Sequence, residues 1–355
     1  MKDGKLGFGI VGCGVIAPFH RDGIRANAGE AEIVAVSDVE AEKGKKFAEE
    51  CGPGVAFYRD YQEMMRRDDI DAICVCTPSG LHGEVTVAAA EAGKHVLCEK
   101  PLDVTLPKID RMIQACRERR VKLACVFQRR TSPDSQRVRE AVQRGDLGQL
   151  TLGDAYLKYY RSQAYYNSAG WRGTWALDGG GALMNQGVHG IDLLLWIMGD
   201  VASVYARAKA MVRKIEVEDT AVALLTYRNG AYGVLEGTTS CNPGETTRTE
   251  IHGKLGTIVL TDRGIQRWAV AEGDDDRAKD QPVEEVQASG PGAVTDPKAI
   301  SGRGHAHHVQ DLIRAIQEDR DPFITGESAR KGVELILAIY ESSRTGREVE
   351  LPLRR

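Results

Sequence analysis

The first third of the chain alternates short apolar runs with segments whose apolar residues recur at helical spacing. Lys5–Val11, Glu32–Asp38, Ala72–Cys76, Lys94–Cys98 and Lys122–Phe127 read as strands, several of them apolar throughout as in a sheet buried on both faces. Between them lie helical segments: one running through Arg25, then Ala41–Cys51, Glu84–Ala92 and Thr105–Arg119. Strand and helix in strict alternation predict an α/β, doubly wound parallel sheet over residues 1–128, with successive strand ends facing one crevice.

After residue 130 the period changes. A helix, Asp134–Arg144, stops at Gly145, and the strand Gln149–Tyr160 alternates with one side solvated or ligand-facing. An irregular stretch, Arg161–Trp175, precedes a glycine-rich segment and the apolar helix Ile191–Met198. Six strands follow: Val201–Val212, Thr220–Tyr227, Ala231–Ser240, Thr247–His252, Thr257–Thr261 and Ile265–Ala269, separated by turn signals such as Arg228-Asn229-Gly230. Residues 129–355 therefore read as an α+β domain with a large, mostly antiparallel open sheet and helices on one face. Its other face needs cover, which predicts a homo-oligomer, dimer or tetramer. Glu272–Gly304 is polar and reads as a surface loop or lid. A helix opened by His305 runs to Glu318, and a last one, Glu327–Ser343, packs back on the body.

Composition narrows the class of partner. With 42% hydrophobic and 28% charged residues the chain is globular, and a formal net charge of −4 without long basic runs gives no electrostatic case for nucleic acid or an anionic membrane. No apolar run is long enough to span a bilayer, and nothing resembles a secretory leader, which argues for the cytoplasm. The 8 cysteines lack zinc-type pairing, and Cys74, Cys76, Cys98 and Cys125 lie inside strand-like runs as small hydrophobes.

Chemistry gathers at the strand ends. Gly12-Cys13-Gly14-Val15-Ile16-Ala17 between strand and helix places small residues where the backbone can approach a pyrophosphate at a helix N-terminus. The next strand ends in Asp38, at the distance expected of a carboxylate that binds ribose hydroxyls and repels a 2′-phosphate, so the expected cofactor is NAD rather than NADP. Asp38 is also suited to capping the following helix. Thr77, Pro78, His82, Lys100 and Gln128 fall at the other strand ends. His82 reads as a cofactor-ribose contact or a helix-start histidine; Lys100, in Glu99-Lys100-Pro101, reads as a solvated strand-end lysine or a group beside the nicotinamide.

Downstream, Tyr160 ends the strand with a ligand-facing side, and Trp171 and Arg172 belong to a stretch of aromatics interleaved with Arg, Gln and Asn, a mixture that suits a sugar or packing under a long loop. Gly179-Gly180-Gly181 lets the backbone pass close to a ligand or another element. Beyond Asn185, His189 has Asp192 one helical turn on; His189 is a core histidine or a base oriented by that carboxylate. His305, His307 and His308 read as helix-start residues rather than metal ligands, since no fourth ligand can be placed, although His305 could line the site. No metal is expected.

Taken together, Gly12-Cys13-Gly14 with Ala17, Thr77-Pro78-Ser79 with His82, Glu99-Lys100-Pro101, the three glycines leading to Val188-His189, and Gly346-Arg347-Glu348-Val349 before Leu351-Pro352 resemble the Gfo/Idh/MocA family of NAD(P)-dependent oxidoreductases. The resemblance covers nearly the whole chain. Gln163–Gln186 with Ile215–Thr220 is similar in particular to bacterial UDP-N-acetylglucosaminuronate 3-dehydrogenases. It implies an N-terminal Rossmann domain in which Gly12, Gly14, Asp38, Thr77, His82, Glu99 and Lys100 contact the dinucleotide, and proton chemistry by Lys100 with His189. The implied reaction is NAD-dependent oxidation of a secondary hydroxyl, at carbon 3, of a pyranose, uronate or nucleotide sugar. Many family members carry aspartate where this chain has Asn185, which cannot titrate near neutral pH. Two rivals stand beside this reading: a glycoside hydrolase or lyase that recycles NAD internally, and a non-catalytic NAD- or sugar-sensing regulator.

Overall fold

The structure, a computed structural model, describes residues 4–271, 277–283 and 303–353. The chain divides into two compact units, one formed by Met1–Gln128 with Ser301–Arg330 and the other by Arg129–Ile300 with Lys331–Arg355.

The first unit is a six-stranded sheet. In chain order its elements are β1 (Leu6–Val11), α1 (Ala17–Ala26), β2 (Ala31–Ser37), α2 (Ala41–Cys51), β3 (Ala56–Tyr58), α3 (Tyr61–Met65), β4 (Ala72–Val75), α4 (His82–Glu91), β5 (His95–Cys98), α5 (Leu106–Glu118) and β6 (Leu123–Cys125). The strands are parallel in the order β3-β2-β1-β4-β5-β6. β1 and β4 are buried along their whole length, as their unbroken apolar runs require. Strand order reverses between β1 and β4, and the turns after both strands carry the residues of interest. The short pair β3 and α3 has no counterpart in the hydrophobic pattern, being too brief to show a period.

In the second unit the elements are α6 (Pro133–Arg144), β7 (Leu150–Lys158), α7 (Gln163–Asn167), a π-helical turn (Ala182–Gly187), α8 (Val188–Met198), β8 (Val201–Lys209), β9 (Thr220–Tyr227), β10 (Tyr232–Thr238), β11 (Arg248–Gly253), β12 (Gly256–Thr261), β13 (Gly264–Val270) and β14 (Lys279–Asp280). Beyond them come α9 (Arg303–Gln317), α10 (Gly326–Thr345) and β15 (Val349–Glu350). The nine strands run β14-β13-β12-β11-β7-β10-β9-β8-β15, antiparallel except for the parallel pair β7 and β10. α8 packs under β7: a Cβ on Gly190 would lie 2.3 Å from Leu157 and one on Gly153 2.5 Å from Met198, so these glycines set the helix-to-sheet distance. α10 is tied to β8, Ser342 Oγ accepting from Ala206 N at 2.9 Å and Ser343 Oγ from Ala208 N at 2.7 Å.

Two expectations shift. α9 packs on α1 of the first unit, across Gly23 and through a hydrogen bond from Asn27 Nδ2 to the Ala306 carbonyl at 3.0 Å, whereas the sequence pattern placed it in the second domain. The stretch read as irregular, 161–175, contains α7, capped by Ser162 Oγ, which accepts from Tyr165 N. The loop or lid expected over 272–304 falls mostly outside the described residues. No helix among the described residues is long and apolar enough to cross a membrane.

Candidate active site

In the first unit the glycine turn and Asp38 form one structure. Gly12 has φ of 92°, and a Cβ there would lie 2.6 Å from the Cys76 carbonyl oxygen, so both backbone angle and space demand glycine. Gly14 has nothing within 4 Å of where a Cβ would stand. α1 begins at Ala17 with no side-chain cap; Ala17 N donates to the Gly14 carbonyl at 3.2 Å and Phe19 N to that of Ile16 at 3.0 Å, and Pro18 between them has no N–H. Asp38 Oδ2 accepts from Cys13 N at 2.8 Å and Oδ1 from Glu40 N at 2.9 Å, while Lys43 Nζ stands 3.3 Å from Oδ2. The carboxylate is thus locked to the glycine turn, with lone pairs left for hydroxyl donors. Val39 beside it is 74% exposed and Val15 61%, apolar surfaces suited to lie against a nucleotide. The Thr77 hydroxyl is buried and has no hydrogen-bond partner, while Pro78 next to it is half-buried. An open space over Gly14 and an orphaned hydroxyl at Thr77 fit a dinucleotide at this strand edge.

Two expected cofactor contacts sit differently. His82 is 1% exposed, and its ring nitrogens face the carbonyl oxygens of Pro101 at 2.7 Å and Thr77 at 2.9 Å. It bridges the loops after β4 and β5 instead of presenting an edge to a ribose, because α4 starts at His82 and turns the ring inward. Glu99 is 4% exposed and also points inward: Oε1 lies 2.9 Å from His20 Nε2 and 3.0 Å from His305 Nε2, and Oε2 accepts from Lys100 N at 3.2 Å. Burial alone would raise the Glu99 carboxyl, yet the two imidazole hydrogen bonds hold it well below the usual range. Burial draws His20 below its ordinary value, against the pull of Glu99. The trio has the composition of a metal site. Both imidazoles, however, point at one carboxylate oxygen, and their buried Nδ1 atoms lack the acceptor that orients a metal-bound histidine. It is a hydrogen-bond cluster that joins α1 and α9 to the backbone of half-buried Lys100. Gln128 Nε2 reaches the same His305 at 3.4 Å.

In the second unit, Gly181–Leu195 is buried except at Asn185, Gln186 and His189. A segment buried on every other side therefore offers one polar stripe. Asn185 Nδ2 donates to Asp178 Oδ1 at 2.6 Å, and its Oδ1 accepts from Gln186 Nε2 at 2.8 Å. Asp178, 1% exposed, is held by Gly173 N through its other oxygen. Asp192 departs from expectation: it is 1% exposed and both its oxygens accept from Arg130, at 2.7 and 2.5 Å. That buried ion pair ties α8 to the start of this unit and occupies both carboxylate oxygens of Asp192.

Beside the stripe lies a cationic, aromatic cradle. The Arg172 guanidinium stacks 4.5 Å from the Trp171 ring and 4.3 Å from that of Tyr165, and donates to the Tyr165 hydroxyl at 2.6 Å. Arg161 is 2% exposed and donates to the Tyr160 carbonyl and to Gln186 Oε1, at 2.6 and 2.8 Å; burial lowers its pKa. Arg213 lies over the Tyr160 ring at 5.3 Å. The Nε atoms of Arg172 and Arg213 are buried without hydrogen-bond partners. Trp175, by contrast, is 47% exposed and packs edge-on to Tyr340.

His20, Arg130, Arg161, Asp178 and Glu218 escaped the sequence reading. Only His20 left a usable trace, as the polar member of the buried α1 stripe Ala17, His20, Gly23, Ile24.

Comparison with known proteins accords with this geometry. Residues 6–127 match the oxidoreductase family with an NAD-binding Rossmann fold, and residues 135–259 the GFO/IDH/MocA C-terminal domain. The myo-inositol 2-dehydrogenase of Thermotoga maritima is 30% identical over 277 residues, 72% of this chain and 78% of that protein. The D-glucoside 3-dehydrogenase of Escherichia coli is 26% identical over 99% of both chains. The WlbA dehydrogenase of Bordetella pertussis, crystallised with NADH and UDP-GlcNAcA, superimposes with a TM-score of 0.86 at 33% identity, over 99% of this chain and 100% of that one. The chain belongs to the Gfo/Idh/MocA family of NAD-dependent oxidoreductases. NAD is its cofactor, and it is an enzyme.

Proposed function

We propose that the protein oxidises a secondary hydroxyl, at carbon 3, of a pyranose sugar that carries an anionic group, such as a uronate or a nucleotide sugar. Bound NAD supplies the acceptor for the hydride that leaves the carbinol carbon. His189 takes the hydroxyl proton, and the Lys100 ammonium polarises the oxygen as negative charge develops on it. The observation that carries this reading is the stripe Asn185, Gln186, His189, the only polar opening in an otherwise buried segment, set beside Arg161, Arg172 and Arg213. Buried guanidinium nitrogens without a partner favour an anion, and flat aromatic faces favour a sugar ring. The names of the Escherichia coli and Bordetella relatives support carbon 3 and an acidic nucleotide sugar respectively.

The test is a screen of neutral glycosides, free uronates and UDP-linked uronates with NAD, following NADH absorbance and product mass together. Stoichiometric NADH and a 3-keto product from an anionic sugar are expected. Oxidation of neutral glycosides alone would remove the role given to the arginines.

The exposed sheet face supports self-association. Leu152, Tyr205, Val222, Leu224 and Tyr232 are between 38% and 64% exposed, and Tyr232 pairs with Leu152 as Tyr205 does with Leu224. A homo-oligomer through this face is expected to dissociate in Leu224→Lys on light scattering. Eight free thiols, seven of them buried, suit a reducing compartment such as the cytoplasm.

A further inference from the structure

The π-helical turn that carries Asn185 and Gln186 begins at a buried carboxylate. Glu218 is 2% exposed; its Oε2 accepts from Gly181 N at 2.9 Å and its Oε1 from Leu183 N at 2.8 Å, while Ala182 N donates to the Glu218 carbonyl at 3.1 Å. Three consecutive amides thus converge on one residue, with the negative charge at the positive end of the turn. From α10 the Tyr340 hydroxyl donates to Oε1 at 2.9 Å. Gly181, held in this way, accepts from Asn185 N at 3.2 Å, so the clamp is one hydrogen bond from the polar stripe.

The glycines are explained by the same contact. Gly179 has φ of 71°, a Cβ on Gly180 would lie 2.1 Å from the Tyr340 hydroxyl, and one on Gly181 1.8 Å from the Glu218 carbonyl oxygen. What Gly180 and Gly181 allow is close approach to Tyr340 and Glu218. π-Helical turns survive where a functional position needs a register that an α-helix would not supply.

Thermodynamics makes a bland structural role a poor account of Glu218. Burial raises its pKa from 4.5 to about 7, even against the hydrogen bonds of Leu183, Gly181 and Tyr340. The ionised carboxylate therefore destabilises the fold near neutral pH, so selection for stability alone would favour a neutral residue. Titratable groups that couple to it include Tyr340 on α10 and Tyr166 on α7. Each is an acid with no positive charge to offer.

We propose that Glu218 is a positioning residue for the dehydrogenase reaction: by clamping the amides of Gly181 and Leu183 it fixes the register of the turn and with it the placement of Asn185, Gln186 and His189. This rests on the assignment of proton transfer to His189.

The experiment compares Glu218→Gln, Tyr340→Phe and His189→Ala holoenzymes, measuring kcat, sugar KM, NADH affinity and thermal midpoint. In Glu218→Gln an NH2 group replaces one acceptor oxygen and meets amide donors. Its kcat is expected to fall roughly 10²-fold, the cost of misplacing a reacting group by about 1 Å. NADH affinity should be unchanged and the thermal midpoint at or above wild type. Wild-type kcat, or activity lost only in proportion to lost stability, would overturn the inference. Should Glu218→Gln fail to fold, Tyr340→Phe decides, since it removes a single bond to the carboxylate: a several-fold lower kcat at unchanged NADH affinity supports the clamp, and wild-type kcat overturns it. His189→Ala separates the two levels. If that variant turns over normally the assignment of the base has failed; if it is inactive while both clamp variants are normal, only the clamp has failed.

Discussion

Asn185 donates its side-chain amide to Asp178 at 2.6 Å. That bond gives the amide at this position a partner to which a second carboxylate could not donate. Aspartate at 185 would set two carboxylates in contact, and such a pair cannot both ionise. Asparagine donates to buried Asp178 and turns a carbonyl oxygen toward Gln186, so the stripe beside His189 is held without a second acid.

Asn185→Asp is therefore expected to fold, to lose kcat/KM by about tenfold or more at alkaline pH, and to recover on acidification as the pair takes up a shared proton. A pH–rate profile parallel to wild type would show that the two side chains do not act as a pair.

The glycines make opposite predictions. Gly14→Ala meets no protein atom within 4 Å, so stability should be unchanged while NADH affinity, read by fluorescence titration, falls about tenfold or more as the methyl group occupies ligand space. Gly181→Ala meets the Glu218 carbonyl at 1.8 Å, and urea unfolding should show a loss of about 2–4 kcal/mol.

Much of the architecture was legible because the period of the pattern changes where the fold does. Thr220–Tyr227 is a strand with the very bounds its alternation marks, and Gly145, at φ of 80°, ends α6 where glycine predicts a stop. What stayed hidden depends on contacts far apart in sequence. Nothing local tells that Glu99 turns to His20 and His305, 79 and 206 residues away, or that Asp192 pairs with Arg130 and not with its helical neighbour His189. The π-helical turn was equally invisible, since its cause is Glu218, 37 residues beyond Gly181.

Asp192→Asn tests the corrected role directly. Leaving the Arg130 guanidinium buried without its carboxylate should cost about 3–5 kcal/mol of stability, while the folded fraction keeps its kcat. Loss of kcat at full stability would return Asp192 to the task of orienting His189.

Glu218 gives stability a pH dependence of defined sign. Its folded value, about 7, lies above the ordinary 4.5, so its contribution is fully present below 4.5 and is lost as pH rises through about 7. Relative to Glu218→Gln, wild type should lose on the order of 3 kcal/mol across that window and level off above it, from about 1.4 kcal/mol per pK unit. Denaturant titrations of both proteins at several pH values check this. A constant difference between them would mean that Glu218 does not titrate in that range.

The central claim is that Lys100 and His189 share the proton chemistry of sugar oxidation. Single-turnover transfer of deuterium from a labelled sugar to NAD, measured in Lys100→Met and His189→Ala beside their NADH affinities, tests it most directly. The account predicts wild-type NADH binding and rates lower by roughly 10²- to 10⁴-fold in each variant. Transfer at near wild-type rates in both would contradict it.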